Sequence, residues 1–145
     1  MIRAVRHIGL VTPDLKNSSY FWCSVMGFIP GVEVLETGSF IDSLLGLNDV
    51  NVTTSKLRSP CGQLLELLYF HSHNRLNNSI IQPYSNGFTH IALSVTDIED
   101  QYCKVSEFGL SFNSPPTISP NGRVKAVYFR SPEGAFVELV EDLIK

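Results

Sequence analysis

The chain states one unit twice. Arg58-Ser59-Pro60-Cys61-Gly62 runs into Gln63-Leu64-Leu65-Glu66-Leu67, and seventy-two positions later Arg130-Ser131-Pro132-Glu133-Gly134 runs into Ala135-Phe136-Val137-Glu138-Leu139. The starts of the two copies match as well. His7-Ile8-Gly9-Leu10 leads to Asp14-Leu15, and His90-Ile91-Ala92-Leu93 leads to Asp97-Ile98, at a constant offset of 83. A chain built this way is constrained to a pair of like modules. Each carries a His on its first strand and a Glu on its last.

The local pattern gives the module as βαβββ. In the first copy, Arg3 to Val11 reads as a strand, and Thr12-Pro13-Asp14 starts a helix, with Thr12 as cap and Pro13 at the first helical position. Leu15, Tyr20, Phe21, Trp22, Val25 and Met26 give that helix its apolar side, and Gly27 stops it. Strands follow over Phe28 to Leu35, Asn51 to Arg58 and Gln63 to Phe70, with a short helical insertion over Phe40 to Leu47. Polar residues His71 to Asn86 form the linker. The second copy has strands over Phe88 to Val95, Ser111 to Thr117, Arg123 to Arg130 and Ala135 to Glu141, and a helix from Thr96 or Asp97 to Gly109. Pro115-Pro116 and Pro120-Asn121-Gly122 break regular structure between its second and third strands.

The expected fold class is α+β: module 1 over 3–70, linker 71–86 and module 2 over 87–142, together one domain of curled mixed sheets around a shared cavity. At 145 residues the chain is long enough for one such domain. Its net charge of −3 and scattered cations (Arg3, Arg6, Lys56, Arg58, Arg123, Lys125) give no basic stripe for phosphates, so nucleic acid is not an expected partner. No apolar run approaches the roughly 20 residues of a membrane span, and the charged start Met1 to His7 does not read as a secretory signal. Cys23, Cys61 and Cys103 are an odd number without close spacing, which suits packing residues in a reducing cytoplasm rather than disulfides or a thiolate zinc site.

Glu66 and Glu138 are each flanked by apolar residues on both sides, as on strands covered on both faces. An unpaired buried carboxylate is costly, and a bound divalent cation removes that cost. His7 and His90 stand at matching register, beside the small residues Gly9, Ala92 and Ser94. Two neutral imidazoles and two carboxylates balance a divalent ion and suit one transition metal: nickel, cobalt, zinc, manganese or iron(II). His71 and His73 are candidates for an entrance, Arg123 and Lys125 for an anionic substrate. Phe40, Tyr69, Phe112, Tyr128 and Phe129 are candidates for shaping a pocket.

At these residues the chain resembles the vicinal oxygen chelate superfamily of glyoxalase I, methylmalonyl-CoA epimerase, extradiol dioxygenases and bleomycin-resistance proteins. The resemblance runs from His7-Ile8-Gly9-Leu10-Val11 and Phe21 to Phe28 through Gly87 to Val95 and Ser131 to Leu139. It implies paired βαβββ modules, metal ligands at His7, Glu66, His90 and Glu138, and a small-molecule substrate chelated through adjacent oxygens. It also allows a homodimer, with the site within one chain or across two. Glyoxalase I and the epimerase use the metal as a Lewis acid for enolate chemistry, with Glu66 or Glu138 as the corresponding base here. Glyoxalase I carries a glutathione-contacting Arg where this chain has Val11, so glutathione is not an expected co-substrate. The insertion Phe40 to Leu47 departs from glyoxalase I too. Extradiol dioxygenases use two His and one Glu, which His7, His90 and Glu138 could supply around iron(II). Bleomycin-resistance proteins bind their ligand without metal chemistry.

Overall fold

The computed structural model of the protein describes residues 1–74 and 81–144. The chain divides into two compact units, Met1–Asn77 and Asn78–Lys145. The expected linker is therefore described only at its two ends, residues 75–80 lying outside the described residues. Among the described residues, no helix is long and apolar enough to cross a membrane.

Unit 1 is a four-stranded mixed sheet in the order β1-β4-β3-β2. Its elements are β1 (Ile8–Val11), α1 (Leu15–Tyr20), β2 (Glu33–Thr37), α2 (Ser39–Leu45), β3 (Asn51–Arg58) and β4 (Leu64–Phe70). β1 is shorter than expected and leaves His7 just ahead of it. Its ladder is a parallel one with β4 alone, starting at Ile8 opposite Leu65, and residues 1–6 are exposed. The helix cap is also different. Asp14, one residue beyond Pro13, accepts from the Asn17 amide at 2.9 Å. Thr12 is instead fully buried and shares a 2.6 Å hydrogen bond with Ser18.

Beyond Tyr20 the helix widens into a π turn, Phe21–Val25, closed by the Met26 amide on the Phe21 carbonyl. Phe21 and Trp22, adjacent in sequence, are both fully buried there. Such a widened turn suits two large neighbours that both seek the core. Trp22 stands edge-on to Phe21 and Phe28, with centroids 5.3 and 5.5 Å apart. Leu57, Leu65 and Leu67 are buried with them, and each such side chain contributes about 1.5–3 kcal/mol on leaving water.

The expected second strand begins late. Ile29 bridges Arg58, but regular pairing with β3 starts only at Glu33. Pro30 and Gly31 intervene, and a Cβ on Gly31 would stand 1.9 Å from the Lys56 carbonyl oxygen. Glycine is needed at that close approach of two backbones.

Unit 2 repeats the arrangement in the order β5-β8-β7-β6. Its elements are β5 (His90–Ser94), α3 (Ile98–Glu107), β6 (Thr117–Ile118), β7 (Val124–Arg130) and β8 (Phe136–Asp142). Asp97 caps α3, accepting from the Asp100 amide at 3.0 Å. β6 keeps only two residues of the strand expected over Ser111 to Thr117. Pro115 and Pro116 offer no amide to a ladder, leaving a single bridge at Phe112 opposite Phe129.

The repeated turns fold alike. Gly62 and Gly134 sit at φ 93° and 88°, a region L side chains avoid, and each donates its amide back to the serine that opens its turn. Arg58 and Arg130 reach the Gly62 and Gly134 carbonyls at 3.5 and 3.0 Å. These turns set the register that places Glu66 and Glu138.

Candidate metal centre

In unit 1 the antiparallel register of β3 and β4 puts Lys56 directly opposite Glu66, and the parallel register of β1 puts Gly9 on its other side. Directly opposed residues share a face. Glu66 therefore lies on the face that also carries Thr54, Leu68, Val52 and Phe70, opposite the face packed by α1. Gly9 leaves the room that lets His7 reach over. His7 Nε2 stands 3.1 Å from Glu66 Oε2, and Lys56 Nζ stands 2.9 Å from Oε1. Both carboxylate oxygens are engaged, and the Glu66 side chain is only 11% exposed. Buried Glu66 thus already has a counter-charge. With Lys56 beside it, the burial of Glu66 does not by itself require a bound cation.

Unit 2 builds the same corner with one change. His90 Nε2 lies 3.5 Å from Glu138 Oε2, and the Glu138 side chain is 22% exposed. The residue directly across from Glu138 is Tyr128, seventy-two positions after Lys56. Burial raises the Tyr128 phenol above its ordinary pKa, and its hydrogen bond to Glu138 and that carboxylate's charge raise it further. Its ring stands edge-on to His90 at 5.3 Å. Thr89 Oγ1 lies 3.0 Å from His90 Nδ1, which turns Nε2 toward the carboxylate.

The four expected ligands therefore form two His–Glu pairs, one in each unit. Among the described residues, no group of three or more His, Cys, Asp or Glu is gathered to hold a metal ion. The chemistry of each pair fits one. With ligand bonds near 2.1 Å, neighbouring donors on an octahedral or tetrahedral ion lie about 3.0 or 3.4 Å apart. The observed separations are 3.1 and 3.5 Å. Each pair offers one imidazole nitrogen and one carboxylate oxygen, the donors borderline metals accept.

Lys56, counted in the sequence only among scattered cations, faces Glu66, and Tyr128, expected only as a residue shaping a pocket, faces Glu138. A tight hairpin turn at 59–62 fixes which residue faces Glu66, and the repeat then points to Tyr128. The register of the turn was the available signal.

Other candidates fall elsewhere. Tyr128, Val124 and Ala126 line a cavity of about 460 Å³ with Pro83, Thr117 and Ile118, on the Glu138 side of the sheet. Phe129 is fully buried on the opposite face, against Phe112. Phe40 is exposed on α2. Tyr69 and His71 line a separate hollow of about 470 Å³ with Thr53, Glu33 and Asp14, on the α1 face and so away from Glu66. His71 Nε2 meets Thr53 Oγ1 at 2.8 Å, and His73 meets Ser72. Lys125 is ion-paired with Glu99, on the face opposite Tyr128. Helix α2 covers the far end of the Glu66 face, with Ile41 packed among Val50, Val52, Leu68 and Phe70.

Residues 4–139 match the model of the glyoxalase/bleomycin resistance protein/dioxygenase superfamily. The chain belongs to this superfamily. A glyoxalase family protein from Bacillus cereus superposes with a TM-score of 0.90 at 18% identity, covering 99% of this chain and 97% of that one. The trypanothione-dependent glyoxalase I of Leishmania major gives 0.67 at 17% identity, covering 97% and 87%. The fosfomycin resistance protein FosX of Listeria monocytogenes, complexed with Mn(II) and sulfate, gives 0.63 at 13% identity, covering 99% and 96%. At these identities the likeness is one of fold. The sequence matches no curated protein.

Proposed function

We propose that His7, Glu66, His90 and Glu138 hold one divalent transition metal, and that the protein is an enzyme moving a proton next to the carbonyl of a small molecule. The observation that carries this reading is the His–Glu pair built twice at one register, with donor separations of 3.1 and 3.5 Å. Membership of the superfamily supports it, as does the Mn(II) in the FosX structure. The bound ion would supply Lewis-acid stabilisation of negative charge on a substrate oxygen. The chain supplies the rest. Glu66 and Glu138 are the carboxylates available to take the proton. The cavity beside Tyr128 has the size of a small-ligand site and a mostly apolar wall. Tyr128, which lines that cavity, also hydrogen-bonds Glu138.

The test is the metal content of untagged protein, beside a His7→Ala/His90→Ala double variant. About one transition metal per chain, absent from the variant, is the expected result. No metal in either protein after reloading with nickel, cobalt, zinc, manganese and iron(II) overturns it, and leaves a binding protein without metal chemistry.

One observation favours a second reading. Lys56 occupies Glu66 Oε1, which leaves His7, His90 and Glu138 as a two-His, one-carboxylate set of the kind that holds iron(II) for O₂ chemistry. Iron(II)-dependent oxygen uptake with a catechol distinguishes this dioxygenase reading from proton transfer.

A further inference from the structure

Unit 1 brings a permanent positive charge to one of the proposed ligands, and unit 2 does not. Lys56 Nζ lies 2.9 Å from Glu66 Oε1 while Oε2 faces His7. The other carboxylate on that face, Glu36, is held by Thr54 Oγ1 at 3.0 Å. At the matching place beside Glu138 stands the phenol of Tyr128. Two neutral imidazoles and two carboxylates would cancel a divalent ion. A lysine sharing one of those carboxylates leaves one positive charge in excess. Such an excess beside a largely buried group is relieved by an incoming anion.

We propose that Lys56 weakens binding of the free divalent ion and reserves full occupancy for the ion together with an anionic oxygen chelator. The substrate class is then a small molecule with a carboxylate next to a carbonyl or hydroxyl group. The inference rests on the metal reading above and adds to it the charge of the substrate.

The experiment uses the full chain, Lys56→Met and Lys56→Arg, with Mn(II) as metal and oxalate as the anionic chelating probe. Equilibrium dialysis gives the Mn(II) affinity of each protein, and retention of labelled oxalate is then measured on the Mn(II)-saturated forms. Lys56→Met is expected to bind Mn(II) about tenfold more tightly, the order for removing a unit charge beside a divalent ion even in a water-like dielectric. The same variant is expected to lose about tenfold in oxalate affinity, and Lys56→Arg to restore both values toward wild type. A loss of fold cannot move the two affinities in opposite directions. Equal Mn(II) affinity in wild type and Lys56→Met, or oxalate retention unchanged by the substitution, overturns the proposal while the metal reading stands. Absence of Mn(II) binding in all three overturns both.

Discussion

Glu66 and Glu138 occupy the same position of the repeated unit, yet the neighbouring strand presents a lysine to one and a tyrosine to the other. The backbone around them is held in common: the same turn, the same ladder order and a histidine at or just ahead of the start of the first strand. The pairs differ in tightness as well, 3.1 Å and 11% carboxylate exposure in unit 1 against 3.5 Å and 22% in unit 2. Duplication fixes the position of a carboxylate through strand register. The group across the ladder decides its electrostatics, and the fold asks of that group only a long side chain. One copy has become an ion-paired corner, the other a carboxylate hydrogen-bonded to a phenol.

The largest test of this division is on the carboxylates themselves. Glu66→Gln and Glu138→Gln keep shape and remove the charge. If either acts as general base, its amide variant is expected to lose about 10²–10⁴ in turnover. The readout is deuterium exchange at the carbon next to the carbonyl of 2-oxo and 2-hydroxy acids, followed by NMR. A large loss in one variant only identifies the base and sharpens the comparison. Wild-type rates in both remove the two carboxylates as the general base.

Next is Gly31, which has no counterpart in unit 2. No other glycine would place a Cβ within 3 Å of a neighbouring atom. Gly31→Ala drives its methyl into the Lys56 carbonyl, so β3 must shift at the residue that holds Glu66. A loss of about 1–3 kcal/mol in urea unfolding is expected, as for overpacking elsewhere. An unchanged midpoint means the strand yields there without cost.

The repeat made much of this legible in advance. The paired modules, the insertion at α2 and the strands β3, β4, β7 and β8 follow from alternation and from the two Arg-Ser-Pro turns. What local pattern missed depended on contacts far along the chain. β1 begins only at Ile8 because its partner β4 begins at Leu64, and nothing within Arg3 to His7 marks that limit. β2 starts late because Gly31 meets the backbone of Lys56. Burial of Glu66 reads as a demand for metal only while Lys56 is counted among scattered surface cations. Ten residues separate the two, and the hairpin makes them neighbours.

Tyr128 offers a smaller effect with a definite sign. Its pKa is raised in the folded protein, by burial first and by Glu138 second. A raised folded value means its contribution is fully present below the ordinary tyrosine value near 10 and is lost as pH rises through the folded value. In metal-free protein, stability is expected to fall as pH rises above about 10, and to fall less in Tyr128→Phe. Equal alkaline slopes in the two proteins, measured by urea unfolding, would remove Tyr128 from the contrast with Lys56.

The smallest expected effect compares the helices that back the two sheets. Cys23 lies in the π turn of unit 1, half-buried beside Trp22, whereas Cys103 on α3 and Cys61 in the first turn are exposed. Burial raises the Cys23 thiol above its ordinary pKa, so less of it is thiolate at neutral pH. Thiolate is the form that attacks, and access adds to the difference. Two thiols are expected to react rapidly with a disulfide reagent at pH 7.5 and the third several-fold more slowly, with Cys23→Ser removing the slow phase and leaving the fast one intact. Equal rates for all three would mean that the π turn opens readily. The close packing of Phe21 and Trp22 would then not make the helix of unit 1 more rigid than α3.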